Sequence, residues 1–326
     1  MNGNLEPFVS ICCITYNHER FIRDAIEGFL KQETDFPFEI IIQDDASTDQ
    51  TADIIRENER KYPDIIKPIY HKENQYSKGI NPIILPLQMA EGKYIALCEG
   101  DDYWTDPLKL QKQINEMGKH PECYLSFHPA IVKWDDGSKR DKILCNHSKK
   151  LKIFSTEEVI LGGGGFMPSA SLIIDASVIP RIISFFDIAK NAPVGDVFIQ
   201  ILGAENGGAL FLSDVMCVYR KSSGSWSEKA LTNKKYIEFW LSSSLECNDK
   251  MDTFTNYHYS KFFNIKRKKI ISEILRSSGV GLIMKEDILM SNRSKMNLKD
   301  LIILNIIFNY SIIVTILGKA KVYKKK

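Results

Sequence analysis

Three short polar clusters carry the residue types that chemistry needs, and each follows an apolar run. Thr15-Tyr16-Asn17 ends FVSICCIT, Asp44-Asp45 ends FEIIIQDD, and Glu99-Gly100-Asp101-Asp102 ends YIALC. Two or three carboxylates at a strand end are hard oxygen ligands suited to Mg²⁺ or Mn²⁺, with coordination positions left for diphosphate oxygens. Without a cation, mutual repulsion would raise at least one of their pKa values. A solvated acidic turn near a helix N-terminus fits the same residues. Asp44 and Asp45 could accept hydrogen bonds from a base or a ribose. In DASTD, helix capping by Ser47 or Asp49 is the competing use. Tyr16 could stack on a nucleobase or simply pack. A fourth acid, Asp196, follows Gly195 at the start of a helical pattern, where by itself it reads as an ordinary N-cap.

The elements that must position these residues are readable from apolar periodicity. Residues 8–15, 38–45 and 94–98 are short runs apolar on both faces, and 65–74 is a weaker strand. Between them, Phe21, Ile22, Ala25, Ile26, Phe29 and Leu30 share one helical face. Ser47 or Thr48 is expected to cap the next helix, and residues 81–91 form another. Asp106-Pro107 supplies an N-cap with proline at the first helical position, for a helix to about Met117. Alternating strands and helices with buried strands predict a parallel sheet covered by helices. In such sheets ligands bind beyond the carboxyl ends of the strands, so clusters distant in sequence are expected to meet. Farther on, 123–134 and 209–220 read as single strands, 162–175 as a glycine-rich loop entering a strand, and 193–207 as a helix opening at Gly195-Asp196. From about residue 232 the chain reads as helical and basic.

Several classes are disfavoured by what is missing. No glycine-rich phosphate loop follows the first strand, which argues against a dinucleotide site or a P-loop. The run Gly162–Gly165 lacks the spacing and flanking elements of a phosphate cradle and reads as a mobile loop. Seven cysteines, odd in number and without CxxC spacing, suit a reducing cytosol. The first residues lack a basic segment followed by a long apolar stretch, so no signal peptide is expected.

VSICCITYN, FEIIIQDDASTD and GKYIALCEGDDYWTDPLKL, in this order and spacing, resemble the family 2 glycosyltransferases of the GT-A fold, of the bacterial surface-polysaccharide type. The resemblance runs strongly over residues 8–120 and more loosely over 160–230. It implies an α/β, Rossmann-like architecture with a mixed, mostly parallel sheet flanked by helices. A GT-A domain would span residues 1–230, with a nucleotide-sugar half (1–120) and an acceptor half (121–230). A basic helical extension would occupy 231–326.

The implied roles are specific. Tyr16 and Asp45 would contact the nucleoside of a UDP- or dTDP-type donor, with Thr15, Asn17 and Asp44 supporting that pocket. Asp102 would be the principal ligand of a manganese or magnesium ion, and Asp101 would lie on the ribose side while sharing the metal. Asp196 would be the base of an inverting transfer to a hydroxyl of a glycan or lipid-linked glycan. YRKSSGSWS (219–227) resembles a loop that folds over the donor diphosphate, which makes Arg220 or Lys221 a phosphate partner. Ala46 stands where the family has glycine, Glu99 where many members have Asp, and Ser222 where a His is frequent. A sugar-nucleotide nucleotidyltransferase is the rival enzyme class, but TYNHER is not the basic glycine-rich loop it needs. A non-catalytic nucleotide- or glycan-binding module is the other alternative.

Residues 261–326 hold 15 Lys or Arg against 4 Asp or Glu, while the other 260 residues hold 28 against 37. Within this tail, 301–318 is apolar and flanked by lysines, short for a membrane span of about 20 residues. It suits a helix in the headgroup region of an anionic cytoplasmic leaflet, or one packed on its own domain with a solvated basic face. A cytoplasmic protein peripheral on the inner face of the cell membrane is expected, with no nucleic-acid partner, because no nucleic-acid module accompanies the charge.

Overall fold

β-Branched residues build the first strands. β1 (Val9–Thr15) and β2 (Phe38–Asp44) run parallel, Val9 opposite Phe38 and Thr15 opposite Asp44. Between them α1 (Ile22–Leu30) buries Ile22, Ala25, Ile26 and Phe29, the face its 3-4 spacing prescribes. α2 (Thr51–Lys61) leads to β3 (Ile66–Tyr70), parallel to β2. α3 (Ile84–Met89) leads to β4 (Tyr94–Leu97), which pairs in parallel with the other side of β1. The order β3-β2-β1-β4 therefore reverses direction at β1, and the crevice at such a reversal is where α/β sheets bind ligands. The computed structural model describes residues 6–190, 192, 195–222, 233–278, 280–293 and 298–323.

The chain continues through β5 (Tyr103–Trp104), α4 (Lys109–Lys119), β6 (Leu125–Phe127), β7 (Ala130–Trp134), β8 (Lys142–Leu144) and β9 (Lys152–Phe154). It then forms α5 (Thr156–Gly162), β10 (Ile173–Asp175), α6 (Ile179–Ile188), α7 (Asp196–Ala204), β11 (Ala209–Phe211) and β12 (Cys217–Lys221). β10 joins the main sheet antiparallel to both β4 and β6, and β11 lies parallel to β6, giving the order β3-β2-β1-β4-β10-β6-β11-β9. A smaller sheet orders β5-β12-β7-β8.

Two runs expected as single strands are each divided between the sheets. Residues 123–134 break at His128-Pro129 into β6 and β7, since proline lacks the N–H that would continue a ladder. Residues 209–220 divide into β11 and β12. Two expected caps also differ. α2 begins at Thr51 with Gln50 as its N-cap: Ser47 Oγ accepts from the Asn17 amide instead, while Asp49 serves both sides, its Oδ1 accepting from the Thr51 amide at 2.9 Å and its Oδ2 from the Glu19 amide at 3.1 Å. α4 begins at Lys109 with Leu108 as its N-cap, and Asp106 instead accepts from the Leu108 amide at 2.8 Å.

Two compact units result, one drawn from Met1–Lys190 and Val194–Ser222, the other from Asn191–Pro193 and Ser223–Lys326. The first is organised on Ile11, Cys13, Ile40, Ile42, Ala96 and their helix partners Ile26, Phe29 and Ile55. The second contains α8 (Lys234–Phe254), α9 (Ser260–Arg276), α10 (Leu282–Ser291) and α11 (Leu298–Tyr323). Leu241, Leu245, Ile271, Ile274, Leu289 and Leu304 form its core. All seven cysteines are free thiols, six of them buried. Among the described residues no helix is long and apolar enough to cross a membrane.

Candidate active site

The ends of β1, β2 and β4 are stitched together by backbone. The Asp45 amide donates to Thr15 O at 3.0 Å, Cys98 to Cys12 O at 3.2 Å, and Gly100 to Ile14 O at 2.9 Å. Gly100 is required by this approach: a Cβ there would lie 2.7 Å from Thr15 Oγ1. Beyond β1 the chain turns through Asn17 at φ 54°, and beyond β2 through Ala46 at φ 61°. Asn17 ties the two turns, donating its amide to Ser47 Oγ at 2.9 Å and accepting from the Thr48 amide at 2.8 Å. Its own side-chain bond helps Asn17 tolerate the left-handed region, whereas Ala46 adopts it without such help. That conformation explains why glycine is the easier residue at position 46.

Asp45 is buried, and both its carboxylate oxygens accept backbone amides, from Gln75 at 2.7 Å and from Tyr76 at 3.1 Å. A nucleobase edge here would have to share these oxygens or shift the turn at residues 74–76. Asp44 accepts from the Ser47 amide at 3.2 Å. Tyr16, by contrast, is 44% exposed and its ring is open to stacking. Four buried polar atoms around these strand ends have no hydrogen-bond partner: Thr15 Oγ1, His18 Nδ1, Asp44 Oδ1 and Glu99 Oε2. Native proteins rarely leave such atoms unmatched except where a ligand, ion or water completes them.

The acidic turn itself is tightly held. Asp102 is 2% exposed, its amide donates to Glu99 O at 3.1 Å, and its Oδ1 accepts from the Arg220 amide at 2.8 Å. Burial raises the Asp102 carboxyl well above the usual range, with further upward pressure from Asp101 and Glu99 opposed by Arg220. Burial, then Asp101 and Asp196, push Glu99 up to about 7. The Arg220 side chain, expected at a phosphate, is engaged within the protein. Its guanidinium donates to Asp101 O at 3.1 Å, pairs with Asp24, and lies 4.3 Å over the Tyr103 ring. It thereby braces the acidic turn. Residues 223–227 of the expected diphosphate loop lie outside the described residues.

The donor set fits a hard divalent cation. Carboxylates that repel one another in a buried turn, with an orphaned Glu99 oxygen beside them, are the chemistry such an ion neutralises. Among the described residues no group of three or more His, Cys, Asp or Glu forms an all-protein metal cage. The fit is to an ion held through one or two carboxylates, Asp102 and Asp101, and completed by substrate phosphate.

Asp196 opens α7, with Gly195 as the N-cap. It is half-buried. Its Oδ1 accepts from the Val197 amide at 2.8 Å, and its Oδ2 accepts from Ser169 Oγ at 3.3 Å. Its charge is felt at Glu99, so the acidic turn and the opening of α7 share one electrostatic site. Three contributors escaped sequence reasoning. His18 brings Nε2 to 3.9 Å from Asp101 Oδ2, the turn at 74–76 holds Asp45, and Ser169 holds Asp196. Only His18 had a signal, its place directly after Tyr16-Asn17 at a strand end.

Residues 10–174 match the family model described as glycosyl transferase family 2. An uncharacterized protein of Mycobacterium tuberculosis is 37% identical over 234 residues, covering 71% of this chain and 63% of that protein. The chain thus matches less than two thirds of that relative's length. The Escherichia coli UDP-Glc:alpha-D-GlcNAc-diphosphoundecaprenol beta-1,3-glucosyltransferase WfaP is 39% identical over 39% of this chain and 47% of its own. Among solved structures, S. aureus TarS 1–349 in complex with UDP-GlcNAc superposes with a TM-score of 0.59 at 17% identity, over 92% of this chain and 90% of that one. The mannosyltransferase PcManGT from Pyrobaculum calidifontis, in complex with GDP-Man and Mn²⁺, gives 0.54 at 13% identity, over 92% and 79%. At these identities the structural likeness establishes the fold.

Proposed function

For a chain that belongs to glycosyl transferase family 2 and folds as a GT-A glycosyltransferase, we propose an inverting, metal-dependent transfer of a sugar from a UDP- or dTDP-type donor to a hydroxyl of a glycan or lipid-linked glycan. One observation carries it. An exposed aromatic ring, a row of orphaned polar atoms, a buried acidic turn and a half-buried carboxylate at a helix start all gather at the ends of β1, β2 and β4.

In this scheme Tyr16 stacks on the base, with Asp45 at its polar edge. Thr15, Asn17 and Asp44 shape the pocket, and Asp101 faces the ribose. Asp102 and Asp101 hold the cation, which when bound stabilises negative charge on the departing diphosphate. The Arg220 amide fixes the Asp102 carboxyl in orientation and the Arg220 side chain holds the turn in place. Asp196 accepts the proton of the acceptor hydroxyl as that oxygen attacks the anomeric carbon from the face opposite the diphosphate, which inverts the centre. UDP-linked donors are favoured by the nucleotide in the TarS complex and by the UDP-glucose donor of WfaP. WfaP also supports a lipid-diphosphate acceptor.

The basic tail is proposed to hold the protein peripherally on an anionic membrane face. Support comes from the excess of Lys and Arg in residues 261–326 and from exposed Ile302, Ile303, Ile306 and Tyr310 on α11.

The decisive experiment combines thermal shift and UDP release, using UDP-glucose and UDP-N-acetylglucosamine with and without Mn²⁺. Wild type is expected to gain stability from a nucleotide-sugar only with the ion, and Asp102→Asn to lose that increment. Asp196→Asn should retain donor binding while turnover falls by roughly 10²–10⁴-fold. Undiminished turnover in Asp196→Asn would sink the base assignment. Binding without any turnover in wild type would leave a non-catalytic binding module.

A further inference from the structure

The turn that follows the glycine-rich stretch is held with more care than a passive connection requires. Met167 through Ser171 is fastened by three side chains from three elements. Trp104 Nε1 donates to Ala170 O at 2.8 Å from β5, and Gln113 Nε2 donates to Ser171 O at 2.9 Å from α4. Gln200 Nε2 donates to Met167 O at 3.3 Å from α7. Ser171 closes the turn on itself, its hydroxyl donating to Pro168 O at 2.6 Å. Within this frame Ala170 and Ser171 are fully buried, while Ser169 is left half-open with its hydroxyl on Asp196 Oδ2. The same hydroxyl interacts with the carboxyl of Glu99.

We infer that Ser169 is the positioning residue of the proposed base, fixing the Asp196 carboxylate in orientation. This rests on the assignment of Asp196 as base. A carboxylate on the first residue of a helix has several rotamers open to it, and engaging both oxygens narrows that choice. Here Oδ1 is held by the Val197 amide of its own helix and Oδ2 by Ser169 from across the site. That arrangement favours one orientation of the carboxylate, the precondition for meeting an incoming hydroxyl in productive geometry. Among the described residues, Glu99 from the turn after β4 is coupled electrostatically to Asp196. A hydroxyl that donates to a carboxylate favours its charged form. Trp104 extends the connection, because it belongs to the same EGDDYW stretch as the cation ligands and pins the turn that presents Ser169.

The test reads the Asp196 carboxyl directly, by pH titration of ¹³C-carboxyl-aspartate NMR on the full chain, with the resonance assigned by its loss in Asp196→Asn. Ser169→Ala is expected to raise the Asp196 pKa by roughly one unit, because the donor to the charged form is gone. Ser169→Thr keeps a hydroxyl and should restore the wild-type value. With UDP-N-acetylglucosamine and Mn²⁺, Ser169→Ala should lower kcat roughly 10-fold with little change in donor KM, and move the acid limb of the pH profile upward. An Asp196 titration and a kcat profile unmoved by Ser169→Ala overturn the inference, as does a Ser169→Thr variant that behaves like Ala. If Asp196→Asn keeps full turnover while the titration still shifts, the hydrogen bond is real and the base assignment is what fails.

Discussion

Lys109 is the least expected residue in the molecule. It sits fully buried at the start of α4 with Nζ 4.0 Å over the Trp104 ring and no hydrogen-bond partner, and burial pushes its pKa down to about 7. An unfolded lysine titrates near 10.4, so between about pH 7 and 10 the unfolded chain binds the extra proton and stability rises with pH. Below pH 7 the folded protein carries the full cost of the buried ammonium, offset in part by the aromatic face. Lys109→Met should therefore stabilise by about 1–4 kcal/mol at pH 6, and the gain should shrink toward zero at pH 10. Thermal melts at the two pH values check this, and an equal gain at both would show that packing, not charge, sets the effect. Residues of this kind mark the limit of sequence reading. Tyr16, Asp45 and Asp102 were legible as polar residues closing apolar strands, but the partners of Asp45 and Asp102 were not. Those partners are Gln75, 30 residues away in a turn, and Arg220, 118 residues away on β12.

Elements carry the next level of control. Trp104 lies in a two-residue strand, packs edge-on against Phe29 at 4.9 Å, and delivers its indole N–H to Ala170 O. Trp104→Phe preserves most of the apolar contact and leaves a buried carbonyl unmatched, which should cost about 1–3 kcal/mol. Because that carbonyl belongs to the turn presenting Ser169, kcat is expected to fall several-fold with donor affinity retained. A destabilised variant with wild-type kcat would separate the packing role from the catalytic one. The first four parallel strands were legible because each is a buried run bounded by polar residues. The splits of 123–134 and 209–220 were not, because an apolar run looks the same whether it stays in one sheet or crosses to another. Helix starts were displaced for a related reason: Ser47 is a good cap that the Asn17 amide claimed, while Asp49 divides its carboxylate between the Thr51 and Glu19 amides.

At the scale of the molecule, charge divides the chain into an acidic catalytic part and a basic helical part. If the second serves a membrane surface, the protein should sediment with vesicles containing about 30% anionic phospholipid and much less with neutral ones, and added salt should weaken it. Ile303→Asp combined with Ile306→Asp should reduce binding roughly 10-fold or more, since both residues are exposed on α11. Binding indifferent to lipid charge, or untouched by the double substitution, would remove the membrane from the scheme. The sequence alone determined the family, the parallel strand–helix alternation and the acids at the strand ends, because these follow from local periodicity and from motifs whose order survives without coordinates. Tertiary structure decided which acids are buried, which guanidinium is already engaged, and which hydroxyl reaches Asp196. Those are properties of distance and desolvation, and both arise only when segments far apart in the chain exclude water together.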